Sequence, residues 1–88
     1  MQKTIELELT DVKDREMNAL ILYNDDYNTF EHVIYCLVKY LEYSYEAAEQ
    51  SAWIVHTKGK YKIKSGSYED LTPYKQALLD QGLNVEII

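Results

Sequence analysis

Eighty-eight residues with a formal charge of −6, 47% of them hydrophobic and only three glycines and one proline among them, describe one domain with a single modest core. The negative balance argues against a nucleic-acid partner, because phosphate binding needs clustered positive charge, and no run approaches the ~18 apolar residues of a membrane span. A lone cysteine, Cys36, excludes a bridge within these residues, and Met1-Gln2-Lys3 leads into alternating residues rather than a secretory leader, so a cytoplasmic protein is expected.

In chain order, Thr4-Ile5-Glu6-Leu7-Glu8-Leu9 alternates strictly and reads as an edge strand. Thr10 to Asn18 is charged and lacks a hydrophobic period, so residues 1–18 are expected to be a flexible arm. Its first 16 residues could reach ~50 Å if fully extended. The folded domain is placed at 19–88. Ala19-Leu20-Ile21-Leu22-Tyr23 reads as a short buried strand. Phe30, Val33, Ile34, Leu37, Val38 and Leu41 recur at helical spacing after it. Between them, Asn24-Asp25-Asp26-Tyr27-Asn28-Thr29 is turn chemistry. Asn28 with Glu31 three residues on has the capping-box arrangement, predicting Asn28 as the N-cap.

Ser44 is the predicted N-cap of a second helix that runs to about Lys58, with Gly59 at the left-handed position beyond it. Lys60-Tyr61-Lys62-Ile63-Lys64 alternates, with Tyr61 and Ile63 on one face and three lysines on the other. Ser67 to Asp70 has the look of a helix start, yet Pro73 follows closely. Proline suits a first helical position and costs about 3 kcal/mol deeper inside. The predicted arrangement is therefore a turn at 68–71, then a helix capped by Thr72 with Pro73 at N1, ending at Gly82. Residues 83–88 close the chain as a strand. The order is β-α-α-β-α-β, an α+β fold with a three-stranded antiparallel sheet packed on three helices.

Asn24-Asp25-Asp26-Tyr27, the capped helix after it, and Val55-His56-Thr57-Lys58-Gly59-Lys60 about thirty residues later resemble the ClpS family. Those proteins are adaptors that deliver substrates to an ATP-dependent Clp protease, and the likeness runs from about residue 19 to the end. The family's fold has this same element order. The resemblance implies recognition of a bulky hydrophobic residue at the very N-terminus of a substrate, the N-end-rule signal or N-degron. It assigns Asn24, Asp26 and His56 to the substrate's α-amino group. It assigns Asp25, Asn28, Phe30, Val33, Ala52 and Val55 to the surround of a side-chain pocket. It also implies a Clp AAA+ ATPase (ClpA- or ClpC-like) as partner, contacted near Glu69 and Lys75, with the arm fed towards its pore. A monomer without cofactor or metal is expected. Where the family usually has Thr, Pro and Met, this chain has Asn28, Thr29 and Phe30, and a second pocket methionine is replaced by Ala52. The last two changes oppose each other in volume.

Plainer readings stand beside these. Asp25 and Asp26 are also ordinary turn formers, and His56 suits the C-terminal dipole of its helix. His32 and Cys36, four apart, make half a metal site with no second pair in view. The nine tyrosines fit core and rim packing, and Lys58, Lys60, Lys62 and Lys64 a solvated sheet face. A cysteine hydrolase would need Cys36 beside His56 and Asp26, but Cys36 falls mid-helix as a small buried hydrophobe. The remaining alternative is a ClpS-like interaction module that docks on the Clp ATPase or another partner without reading N-termini.

Overall fold

The computed structural model describes residues 17–88; the alternating segment at 4–9 and the rest of the arm lie outside them. The elements are β1 (Asn18–Tyr23), α1 (Phe30–Leu41), α2 (Tyr45–Lys58), β2 (Lys60–Gly66), α3 (Tyr68–Asp80) and β3 (Asn84–Ile87). This is the β-α-α-β-α-β order expected from the sequence. β1 begins at Asn18, one residue inside the stretch read as arm, because Asn18 pairs with Gly66 and its side-chain amide donates to the Ile88 carbonyl at 3.0 Å.

The strands lie in the order β2-β1-β3, both pairings antiparallel. β1 is central, so its apolar run is covered by ladder bonds on both edges. Leu20 and Leu22 point into the core, where they meet Leu37 and Cys36 of α1 and Leu71 and Leu78 of α3; all six are fully buried. Ala48, Ala52 and Val55 of α2 complete that layer. Burying a leucine side chain is worth about 1.5–3 kcal/mol, so this apolar layer supplies the driving force that fixes the sheet against the helices. The face of the sheet away from it is partly polar, with the Tyr23 hydroxyl donating to Glu86 Oε1 at 2.7 Å.

Three local expectations need correction. The N-cap of α1 is Thr29, which has an extended backbone and whose hydroxyl accepts the His32 N–H at 3.0 Å. Asn28 cannot serve, because its amide is engaged elsewhere, and the capping box with Glu31 does not form. α3 starts at Tyr68 rather than Pro73. Ser67 accepts the Asp70 N–H at 3.0 Å, and fully buried Leu71 holds the first turn against the core. Pro73 sits inside the helix with its ring exposed; only the bond to the Glu69 carbonyl is forgone, and that residue faces water. Lastly, the alternation in β2 is broken by a register shift opposite Leu20 and Ile21: Lys62 pairs with Ile21 but Lys64 with Leu20. Lys64 thereby leaves the basic stripe and sets its ammonium 4.7 Å over the Tyr74 ring of α3.

Candidate functional site

The loop that joins β1 to α1 is built by its own side chains. Asp25 Oδ1 accepts the backbone N–H groups of Tyr27 (2.9 Å) and Asn28 (2.8 Å). Its Oδ2 accepts the Asn28 side-chain amide at 2.8 Å. That amide's second donor reaches the Gly82 carbonyl at 2.9 Å, where Gly82 turns the chain from α3 to β3 with φ of 86°. Nearby, His32 Nε2 lies 2.9 Å from the Gln81 carbonyl. Loop and helix start are thus tied to the α3–β3 turn by two side chains. Burial pushes the Asp25 carboxyl up, but the bonds from Asn28 and Tyr27 together outweigh it and hold the group below the usual carboxylate range.

On the other side, sheet register brings the end of α2 to the same place. Tyr23 pairs with Lys60, and the Asn24 N–H donates to the Gly59 carbonyl at 2.9 Å. Gly59 ends α2 in the left-handed region (φ 94°), a position that favours a residue without Cβ. His56, less than one turn back from Gly59, is therefore delivered to the loop's side of the molecule.

Between loop and helix lies a hollow of about 440 Å³. All nine residues that the family resemblance assigned to substrate binding line it: Asn24, Asp25, Asp26, Asn28, Phe30, Val33, Ala52, Val55 and His56. Its floor is apolar, with Leu22, Ala52, Val55 and Leu83 buried and Val33 half-buried. Its rim carries Asn24, Asp26 and His56, all exposed. In contrast to Asp25, none of these three side chains is engaged in a hydrogen bond among the described residues. Among the described residues no lysine or arginine lines the hollow, so its two carboxylates set a negative potential at the mouth. Three acceptors around an apolar cup can hold an ammonium group with an apolar substituent.

Sequence reading missed four lining residues: Leu22, Tyr23, Trp53 and Leu83. Trp53 had a signal, since it stands three residues before His56 and so shares its helix face. Its indole is 57% exposed, edge-on to Phe30 with ring centroids 6.1 Å apart and 5.8 Å from the His56 ring. Leu83 is brought in by the Asn28–Gly82 contact across 54 residues and had no local signal.

Glu69 and Lys75 lie away from the hollow on α3, Glu69 exposed and Lys75 half-buried. Six positions apart, they point about 120° from one another around an ideal helix. His32 Nε2 and Cys36 Sγ are 3.6 Å apart, but among the described residues no three potential metal ligands come together. Cys36 is fully buried, burial pushes its thiol up, and it is absent from the lining of the hollow, so it does not join His56 and Asp26 as a hydrolase nucleophile would. No helix among the described residues is long and apolar enough to cross a membrane.

Comparison with known proteins agrees with this arrangement. The ATP-dependent Clp protease adapter protein ClpS of Thermosynechococcus vestitus is 36% identical over 70 residues, covering 75% of this chain and 71% of its own. The ClpS of a Nostoc species is 35% identical over 71 residues, covering 75% and 69%. The human E3 ubiquitin-protein ligase UBR1 is 24% identical across 99% of this chain, which spans 5% of the ligase. In fold, the chain is similar to Agrobacterium tumefaciens ClpS2 bound to L-phenylalaninamide, with a TM-score of 0.76 at 19% identity, covering 83% of this chain and 95% of that one. Residues 13–86 match the family described as ATP-dependent Clp protease adaptor protein ClpS, and with the two bacterial adapters this places the chain in the ClpS family.

Proposed function

We propose that this Clp protease adaptor binds substrates through a free N-terminus carrying a bulky hydrophobic residue, and hands them to a Clp AAA+ ATPase. One observation carries the reading: Asn24, Asp26 and His56, exposed and with no side-chain hydrogen bond among the described residues, stand at the rim of an apolar cup floored by Leu22, Val33, Ala52, Val55 and Leu83. An α-amine has a pKa near 7.7–8 and is mostly ammonium at neutral pH. Its three donors match an amide oxygen, a carboxylate and an imidazole nitrogen, each bond to the ion being worth about 1.5–3 kcal/mol. The first side chain then enters the cup and adds about 1.5–3 kcal/mol on burial. After the cost of association, the two contributions together reach micromolar affinity, and neither does alone. L-Phenylalaninamide, the ligand of the Agrobacterium protein, unites the same two features, a free α-amine beside a benzyl group.

Asp25 contributes charge and loop shape, and Asp26 makes the direct contact. Phe30 narrows the cup where buried Ala52 widens it, so Leu, Phe, Tyr and Trp are expected to enter and β-branched Ile to be rejected. Isothermal titration with peptides that begin with each of these residues and with Gly tests the reading; equal binding of Gly- and Phe-initiated peptides would leave only the docking-module alternative.

Delivery is a separate step. None of the residues assigned to the cup falls within the arm at residues 1–16, so removal of the arm should spare peptide binding and block degradation of an N-degron substrate by the Clp protease. Degradation at an unchanged rate by the truncated adaptor would exclude that role. The monomeric adaptor is taken to meet the ATPase near Glu69 and Lys75.

A further inference from the structure

Beside the cup, and sharing Phe30 and Trp53 with it, lies a broader open trough of about 750 Å³ bounded also by Glu49, Gln50 and Ile54 of α2. Nothing in amine recognition calls for this trough. Its surface is mainly apolar, Trp53 stands exposed along it, and among the described residues its one ionisable residue is Glu49, also exposed. We propose that the trough is a second subsite of the adaptor, taking a long cationic side chain, arginine or lysine, from the second or third residue of the bound substrate. The inference rests on the reading of the cup as the seat of the first residue.

Reach, shape and charge agree on this occupant. An extended chain advances about 3.3–3.6 Å per residue, and the two hollows share a wall, so a side chain leaving the cup's mouth meets the indole within one or two residues. An arginine or lysine can lay its methylenes along Trp53 and Ile54 while its head remains in water near Glu49. A cation over an indole face is attracted by the ring. The chain's net charge of −6 and the carboxylates at the cup's mouth favour the same sign and disfavour an acidic residue at that position.

The test uses the full chain and fluorescent peptides of three kinds: Phe-Ala-Ala, Phe-Arg-Ala with Phe-Ala-Arg, and Phe-Glu-Ala, each extended by the same neutral tail. The Phe-Ala-Ala peptide probes the cup alone, and its failure to bind overturns the cup reading. Where it binds, one of the two arginine peptides should bind about three- to tenfold more tightly, and the glutamate peptide more weakly. Because Trp53 also lines the cup, the readout is the ratio of arginine to alanine affinity within each variant. Glu49→Gln and Trp53→Ala should each bring that ratio towards one, whereas Asp70→Asn, the same loss of charge away from both hollows, should preserve it. Equal affinities for arginine and alanine peptides, or a ratio lowered as much by Asp70→Asn as by Glu49→Gln, would overturn the subsite and leave only diffuse attraction.

Discussion

The layer beneath the sheet and the loop at its end stand a few residues apart in sequence and differ in what their side chains do. Leu20, Leu37, Leu71 and Leu78 are fully buried against one another, with no capacity left for a ligand. At the loop, Asn24, Asp26 and His56 are exposed, and their donors and acceptors face solvent over the cup. Asp25 lies between these extremes: it neighbours Asp26 in sequence, but three hydrogen bonds turn it inward to the loop. Stability and recognition therefore share residues only at the floor of the cup, at Leu22, Ala52, Val55 and Leu83, and substitutions elsewhere should divide them.

The largest effect is expected in the core. Leu71→Ala leaves a cavity beneath α3 and should cost about 2–5 kcal/mol in denaturant unfolding, while the small folded fraction retains the affinity for a Phe-initiated peptide. A loss below 1 kcal/mol would mean that the first turn of α3 is not held by this contact. Next, Asp26→Ala should weaken peptide binding by about tenfold or more, equivalent to about 1.4 kcal/mol, with the unfolding midpoint unchanged. Unaltered affinity would remove Asp26 from the amine contact.

Asn28→Ala should blur the division. It removes the amide that joins Asp25 to the Gly82 carbonyl, so a loss of about 1 kcal/mol in stability is expected, together with a severalfold loss in affinity as the loop loosens. An effect on stability alone would show that the cup tolerates a free loop. The smallest effect is in acid. The folded-state pKa of Asp25 is depressed, so its contribution is present above the unfolded-state pKa and is lost as pH falls through the folded value. The stability gap between the parent and Asp25→Asn should therefore narrow as pH falls through the acidic carboxylate range. A gap independent of pH would contradict the charge-assisted loop.

Most of the architecture was legible in the sequence, because it follows from hydrophobic period and from Ser44 and Gly59 as helix punctuation. The errors fell where side chains had two competing uses. Asn28 is a good cap by composition, but its amide finds Asp25 and Gly82 instead, and Thr29 takes the cap. Pro73 argued for a later helix start, yet burial of Leu71 outweighs the single backbone bond that proline lacks. The bulge opposite Leu20 could not be read from the alternation of β2, so the placement of Lys64 over Tyr74 was hidden. At the site, the rim residues and most of the floor were readable through the likeness of Asn24-Asp25-Asp26-Tyr27 and the His56 segment to a known family. Leu22, Tyr23 and Leu83 join only through sheet pairing and the α3–β3 turn, which no local pattern encodes.

The central claim is that the cup reads a charged chain end and the apolar group beside it together. Its most direct test is the affinity of one Phe-initiated peptide measured twice, with the N-terminus free and N-acetylated. Acetylation removes the charge and most of the donors while leaving the phenyl ring intact, so binding should fall by about a hundredfold or more, to the limit of detection. Equal affinity for the two forms would show that Asn24, Asp26 and His56 do not bind the amine, and the account would fail.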